Sequence, residues 1–493
     1  MSNNIITSLF WVRKGWAKSI PLEYEEIDNL KNNKEIQKIS KISNKLKKEG
    51  KLKENETIKN ETKIIEDNIN MNDDNDNINN IEEEDIQLPV FCEDLKKYYT
   101  GNDDEEMIDE NSKYPEYFDE ISEDDVDDFT IKKSDSLIVC GIAEDDFSKL
   151  EVYIYEEEKL NLYVHHEIVL NSYPLCIEWL PLKNNIKCNY ALVGSFNPNI
   201  EIWNLDILNV LEPEITLGKT NNDNYNNNII NNNLIHTDAV MSLNLNNNNP
   251  NFVASSGADG KILIWDLNSN PKEAKLCYNE HKNKVQYVKW NKKEDNLLIS
   301  ASYDKTIKIF DTRSNKSVFN YTINNELESL DWSELDNYSL LFSFENGRIQ
   351  LFDLKMFSPL AQFHAHNKEA TCVNFSPKIK SLFSSVGRDG KVKLWDSNKI
   401  INDDKGDTIP YLILDKYIKK STGELFTCKF ADDCDNTLAI GGSKGELYIW
   451  QLESSPIFCS QYNIKYEDDF KISEEYNNIN KKKKIGNKKN KNK

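Results

Sequence analysis

The sequence predicts an all-β fold, a β-propeller of seven blades. From Ser134 to Tyr462, short runs rich in Val, Ile, Leu, Phe, Tyr and Trp alternate with Gly, Asn and Asp turns, the texture of strands joined by tight turns. Within that stretch three segments align without a gap at five positions. The aromatic residues that anchor successive segments, Phe310, Phe352 and Trp395, stand 42 and 43 residues apart, and a propeller blade takes about 40–45 residues.

The gapless segments begin at His236, His281 and His366. Each histidine is followed after 23 residues by an aspartate (Asp259, Asp304, Asp389) and after 29 by an aromatic (Trp265, Phe310, Trp395). Nine residues beyond each histidine an apolar residue closes an alternating strand (Leu245, Trp290, Phe375), and a serine precedes each aspartate by four (Ser255, Ser300, Ser385). In the WD40 pattern these side chains form a relay, Asp to His, His to Ser, Ser to the Trp ring N–H. A buried polar group needs a partner, and each orphan costs about 1–3 kcal/mol. Phe310 has no N–H to donate, so the second relay is expected to be shorter.

Weaker copies keep the six-residue step from turn to aromatic at Asn197–Trp203, Asn346–Phe352 and Lys444–Trp450, after strands closing at Trp179, Trp332 and Phe430. That makes six repeats. The seventh is split. Residues 137–168 hold three strand-like runs without a leading one, and Ile5–Val12 has the missing character, with Trp11 at the closing position. The chain is therefore expected to start blade one, leave it, and return to finish it, so that the ring has no open sheet edge. A single blade cannot bury both its faces, whereas stacked blades bury a continuous core.

The expected organisation follows from composition. Residues 1–20 supply the first strand. Residues 21–133, rich in Asn, Lys, Glu and Asp, cannot bury enough apolar area to offset their ordering entropy and are expected to be disordered. Residues 134–462 are the propeller, carrying an asparagine-rich loop at 219–234. Residues 463–493 are a disordered tail with eight lysines in its last thirteen positions. The net charge of −22 is uneven, because residues 101–130 alone hold 14 acids against Lys113.

Several chemistries are set aside on pattern. The nine cysteines form no CxxC pair and have no histidine at zinc spacing, so reduced thiols packed as small apolar groups are expected. No apolar run of 18 exists, and Ile5–Val12 is short and lacks a preceding basic region, so neither a membrane span nor a signal peptide is expected. The sequence reads as a soluble nuclear or cytosolic protein. The His, Ser and Asp residues could be read as a hydrolase triad, but a triad is needed once and a structural relay recurs with every blade. His165, His166 and His364 read as packing residues. With no phosphate-cradling glycine loop and no HExxH motif, neither catalytic residues, cofactor nor metal is expected.

Three features point outward. The acidic run is either solvated disorder or a mimic of nucleic acid toward a basic partner such as a histone or ribosomal protein. Ser122, followed by Glu123, Asp124 and Asp125, matches an acidic-directed kinase site. The lysine tail reads as a nuclear or nucleolar address, a phosphate-binding arm, or a solubilising segment. Tyr303 and Arg388, just before the turn aspartates, face the rim formed by the d–a and b–c loops in the WD40 pattern and are the candidate partner contacts.

Beyond the generic repeat, TSLFWVRKGWAKSIP at the start, SDSLIVCGIAEDDFSKLEVYIYEEE, LYVHHEIVLNSYPLCIEWL, NPNIEIWNLDILNVLEPEITLG and HTDAV resemble the periodic tryptophan protein 1 family. The layout of leading strand, long acidic insertion, propeller and internal low-complexity insert is also similar to that family, although its insert is lysine-rich and this one is asparagine-rich. The resemblance implies a nuclear, largely nucleolar scaffold of ribosome biogenesis, acting in ribosomal RNA processing and large-subunit precursor assembly. It also implies the alternative of a chromatin or histone-binding regulator of RNA polymerase I transcription. The implied partners are pre-ribosomal proteins or histones, with nucleic acid reached through the lysine tail, for a monomer working inside larger complexes. No motif supports a ubiquitin-ligase adaptor.

Overall fold

The computed structural model describes residues 4–23, 130–218 and 232–464, except 146, 184–185, 270, 315, 403–407 and 419–421. The chain divides into two units, one formed by Met1–Pro21 with Ser122–Lys493 and the other by Leu22–Ile121. The expected disorder of the insertion, Ser122 and the lysine run fall outside the described residues. The first unit is a seven-bladed ring of small antiparallel sheets, the WD40 propeller that the repeats predict.

Blade one contains Ile5–Val12, Ser136–Ala143, Ser148–Glu156 and Asn161–Leu170, side by side in that order. The N-terminal strand pairs with residues 125 and more positions later, from Val12↔Leu137 to Ile5↔Ala143. The insertion leaves and returns at one spot, where the Ile131 N–H donates to the Ser19 carbonyl at 2.8 Å. Blade two is Pro174–Lys183, Ile186–Ser195, Ile200–Asn204 and Ile215–Leu217. Blade three is Val240–Leu245, Phe252–Gly257, Ile262–Asp266 and Leu276–Tyr278. Blade four is Val285–Trp290, Leu297–Ser302, Thr306–Asp311 and Lys316–Thr322. Blade five is Leu327–Trp332, Ser339–Phe344, Arg348–Asp353 and Ser358–His364. Blade six is Cys372–Phe375, Leu382–Val386, Lys391–Asn402 and Thr408–Tyr417.

Blade seven is different. It has three described strands, Leu425–Phe430, Thr437–Gly442 and Tyr448–Gln451. The N-terminal strand is the innermost strand of blade one, the blade that its strand character assigned it to. Blades seven and one close the ring by face packing, and the Trp11 ring N–H donates to the Lys429 carbonyl at 3.1 Å. Gln451 Nε2 also donates to the Tyr155 hydroxyl at 2.8 Å.

Blades stack face to face, so strands are apolar on both sides and bury both. Leu382–Val386 is buried at every position. Apolar clusters bridge neighbouring blades: Phe10, Val152 and Trp203 join blades one and two, and Trp11, Tyr155 and Ala439 join blades seven and one. One further detail was not expected from the sequence. A seven-residue helix, Pro456–Tyr462, follows blade seven and buries Phe458 and Cys459. Its Ser-Pro start and left-handed Asn463 (φ 56°) are an ordinary helix entry and exit. Most of the asparagine-rich loop falls outside the described residues, and its last residues, Asn232–Leu234, form a 3-10 turn.

Candidate functional site: relays and channel rim

Each relay joins two loops that the chain makes 23 residues apart. His236 Nδ1 lies 3.1 Å from Asp259, its Nε2 lies 2.7 Å from Ser255 Oγ, and the Trp265 ring N–H donates to the same oxygen at 2.8 Å. Asp259 can only accept, so Nδ1 carries the proton and Nε2 accepts from the serine hydroxyl. His366 repeats this with Asp389 at 3.0 Å, Ser385 at 2.9 Å and Trp395 donating to Ser385 at 3.0 Å. His281 meets Asp304 at 3.0 Å and Ser300 at 2.7 Å, and there the relay stops, with the Phe310 ring edge-on 6.5 Å from the imidazole.

Each aspartate does more than hold its histidine. It accepts the backbone N–H of the residue after the histidine and of the residue two beyond itself: Thr237 and Lys261, Lys282 and Thr306, Asn367 and Lys391. One carboxylate thereby ties the entry loop of a blade to its central turn. Burial alone would raise the pKa of these carboxyls. For Asp304, hydrogen bonds from Thr306, the Lys282 amide and His281 overcome burial and hold it at about 2. Asp389 is held at about 2 by His366, Asn367 and Lys391 against the same burial. The residue after each aspartate must turn left-handed: Gly260 (φ 79°) and Gly390 (φ 74°), but Lys305 (φ 64°) in blade four.

Blades one and two lack the relay and use another device. The Trp203 ring N–H donates to Glu201 at 3.1 Å, and the Tyr153 hydroxyl donates to Glu151, in each case the residue two before it on the same strand. The E-x-W and E-x-Y spacing was the available signal for this pair.

The inner strands line a central channel of about 550 Å³. A single strand position, the residue before the closing aromatic, carries Glu178, Lys289, Asp331, Asn374 and Lys429, and its counterpart in blade three is Asn244. These side chains pin blade to blade. Asn244 Oδ1 accepts the Trp290 N–H at 2.8 Å, Asn374 Oδ1 accepts the Phe430 N–H at 2.9 Å, and Asp331 accepts the Phe375 N–H at 2.6 Å. Asp331 also pairs with Lys289 and accepts from Asn374 Nδ2 at 3.1 Å. Sequence reasoning missed this ring because the residue at that position changes from blade to blade, while the groups it binds lie on a neighbouring blade.

Arg388 lines the channel with Glu328, and Tyr303 lies close enough to both to feel their charge. Arg388 is exposed, its Nε 2.7 Å from Glu369, with the Phe426 ring 5.7 Å away. Lys284 Nζ sits 3.7 Å from the centre of the Tyr303 ring. Between them is Glu328, whose carboxyl is pushed up by burial despite Arg388. Burial, then Glu328, Glu326 and Glu345, push the Tyr303 hydroxyl up to about 12. Tyr303 and Arg388 thus share one glutamate-rich rim, and Glu328 is its unforeseen centre. Among the described residues no group of three or more His, Cys, Asp or Glu side chains converges as metal ligands would, and the eight described cysteines are free thiols. No described helix is long and apolar enough to cross a membrane.

A ring of small antiparallel sheets, three of them pinned by His–Ser–Asp relays, defines a WD40-repeat protein. The WD domain, G-beta repeat model matches residues 232–266 and 357–396, and the model of the E3 ubiquitin-protein ligase RFWD3 WD40 domain matches 275–376. Relatives extend over most of the chain. An uncharacterised WD repeat-containing protein of Schizosaccharomyces pombe is 29% identical over 92% of this chain and 90% of its own length. The periodic tryptophan protein 1 homolog of Drosophila melanogaster is 26% identical over 73% of each chain. Periodic tryptophan protein 1 of Saccharomyces cerevisiae is 27% identical over 68% of this chain and 66% of its own. The chain is a homologue of the periodic tryptophan protein 1 proteins, as its sequence strings indicated.

Proposed function

We propose that this chain is a non-catalytic scaffold of ribosome biogenesis, working in ribosomal RNA processing and large-subunit precursor assembly in the nucleus and nucleolus. The observation that supports this reading best is how the polar groups are used. The histidines, serines and aspartates that could have formed a triad are spent on relays, and the channel polars on pinning blades. What faces outward is the rim of Tyr303, Arg388 and Glu328, suited to protein contact. The process is what the resemblance to the periodic tryptophan protein 1 family implies, and similarity to those proteins over about 70% of the chain supports it. The partners are pre-ribosomal proteins, met by a monomer, with nucleic acid reached through the lysine tail and Ser122 as a phosphorylation site in the acidic insertion.

One affinity purification read by proteomics and RNA sequencing tests the proposal, together with co-sedimentation. Recovery of large-subunit precursors supports it, and their absence removes it. The second reading, a histone-binding regulator of RNA polymerase I transcription, is favoured by the glutamates of the rim, which suit basic tails, and recovery in chromatin fractions alone would select it. Arg388→Glu is expected to reduce co-purifying protein several-fold. An unchanged profile would remove the rim as the contact.

A further inference from the structure

Two cysteines that stand 56 residues apart in the chain meet in the seam between blades six and seven. Cys372 opens the innermost strand of blade six, and Cys428 lies on the innermost strand of blade seven. Cys372 Sγ is 3.6 Å from the Cys428 carbonyl oxygen, and Cys428 Sγ is 3.5 Å from Ser384 Oγ of blade six. The two thiols are also hydrogen-bonded to each other. Both are buried free thiols, and both line the channel. The propeller repeat does not ask for sulfur here. At the strand position of Cys372, Ser8, Ser242 and Ser329 each accept a backbone N–H of the next blade at 3.4 Å. At the position of Cys428 stand Ile177, Leu243, Val288, Leu330 and Val373. Cys176 holds the place of Cys372 in blade two, but Leu243 of blade three stands where blade seven has Cys428. The seam is held in register around the pair: Asn374 Oδ1 accepts the Phe430 N–H at 2.9 Å, and the Thr371 hydroxyl donates to the Leu425 carbonyl at 2.8 Å.

We infer that Cys372 and Cys428 are a modification site, a dithiol that hydrogen peroxide converts to a disulfide stapling blade six to blade seven. Peroxide is little larger than water, and the channel of about 550 Å³ leads to both sulfurs. The pair is chemically asymmetric. The Cys428 thiol, helped by the backbone at 428 and by Ser329, holds Cys372 below the usual thiol range against burial and Asp331. The Cys372 sulfur, and then burial, push Cys428 well above that range. Burial pushes Cys140 and Cys176 up too. The thiolate is the nucleophile, so Cys372 reacts first. Its sulfur attacks one peroxide oxygen, the O–O bond breaks, and the departing hydroxide takes the proton that Cys372 gave up and leaves as water. Cys372 is then a sulfenic acid. The Cys428 sulfur attacks it, the S–O bond breaks, and the hydroxyl leaves as a second water with the Cys428 proton. Two thiols have lost two electrons and two protons, and one peroxide has become two waters.

Hydrogen peroxide treatment of the folded full chain, followed by alkylation, trypsin and mass spectrometry without reductant, tests this. Lys429 separates Cys428 from Cys434, and Cys372 shares its tryptic peptide with no other cysteine, so the cross-link has one signature. The expected product joins residues 369–378 to 421–429 within one chain, at least ~10-fold more abundant than any other cysteine pair. Cys428→Ser should stop at the Cys372 sulfenic acid, which dimedone traps, and Cys372→Ser should leave Cys428 unlabelled. The oxidised wild type should unfold at higher urea than the reduced one, and the shift should vanish in Cys428→Ser. A folded wild type whose two thiols stay free under peroxide overturns the inference. So does a cross-link between two chains, and so does labelling of Cys428 at the same rate without Cys372, which would deny Cys372 the first step. An unchanged urea midpoint in the cross-linked protein would refute the staple.

Discussion

Replacing the relay serines by alanine should cost unequal amounts, and the inequality can be worked from the structure. Ser255, Ser300 and Ser385 are all fully buried, so the loss of a hydroxyl and the small space it leaves are common to the three. What differs is the number of groups left without a partner. Ser255→Ala abandons His236 Nε2 and the Trp265 ring N–H, which lie 2.7 and 2.8 Å from the oxygen. Ser385→Ala likewise abandons His366 and Trp395. Ser300→Ala abandons His281 alone, since Phe310 offers no N–H. At about 1–3 kcal/mol per buried orphan, blades three and six should lose about 2–6 kcal/mol and blade four about 1–3 kcal/mol. The gap of about 1–3 kcal/mol is a factor of roughly 5 or more in the folded-to-unfolded ratio. Equilibrium urea unfolding reads it as a shift in midpoint at constant slope. A Ser300→Ala loss equal to the other two would refute the claim that the relay hydrogen bonds, rather than the volume at these sites, carry the stabilisation.

The same measurement serves three other changes. Asp331→Ala strands the Lys289 ammonium and two donors in the channel and should cost about 3–5 kcal/mol. Lys289→Met in that background should recover part of the loss, and no recovery would mean that the pair is not coupled. Lys305→Gly relieves a left-handed non-glycine residue (φ 64°) and should gain up to about 1 kcal/mol, with a loss contradicting the assigned strain. The last concerns pH. Burial, and then the His165 imidazole beside it, lower His166 to about 3. Below about pH 6.5 the unfolded chain takes up a proton that the folded one refuses, so stability falls as pH falls. From pH 6.5 to 5 the loss is about 2 kcal/mol, and it should be missing from His166→Gln.

The parts of the fold legible in the sequence were those repeated at fixed intervals. The histidine, serine, aspartate and aromatic positions recur because each blade solves the same local problem, and their spacing gave the register of blades three, four and six. The split first blade was legible from strand character alone, since Ile5–Val12 had no other sheet to join. The pins of the channel were not legible. Asn374 reaches the backbone of Phe430, 56 residues away, and nothing local marks it. Glu328 was hidden for the same reason, as its meaning comes from Tyr303 and Arg388 on neighbouring blades. The helix Pro456–Tyr462 escaped because seven residues are too few to show a helical period.

The split first blade has a consequence for synthesis. Trp11 leaves the ribosome early, yet its ring N–H bonds to Lys429, 418 residues later. At about 5–20 residues per second that wait lasts on the order of 20–80 s. Its sheet partner, Ser136–Ala143, arrives only after the whole insertion has been made. A bare strand of largely apolar residues must therefore survive beside a growing chain without pairing wrongly. The stretch synthesised between it and its partner is rich in Asn, Lys, Glu and Asp, so the strand waits beside polar chain rather than beside another apolar run.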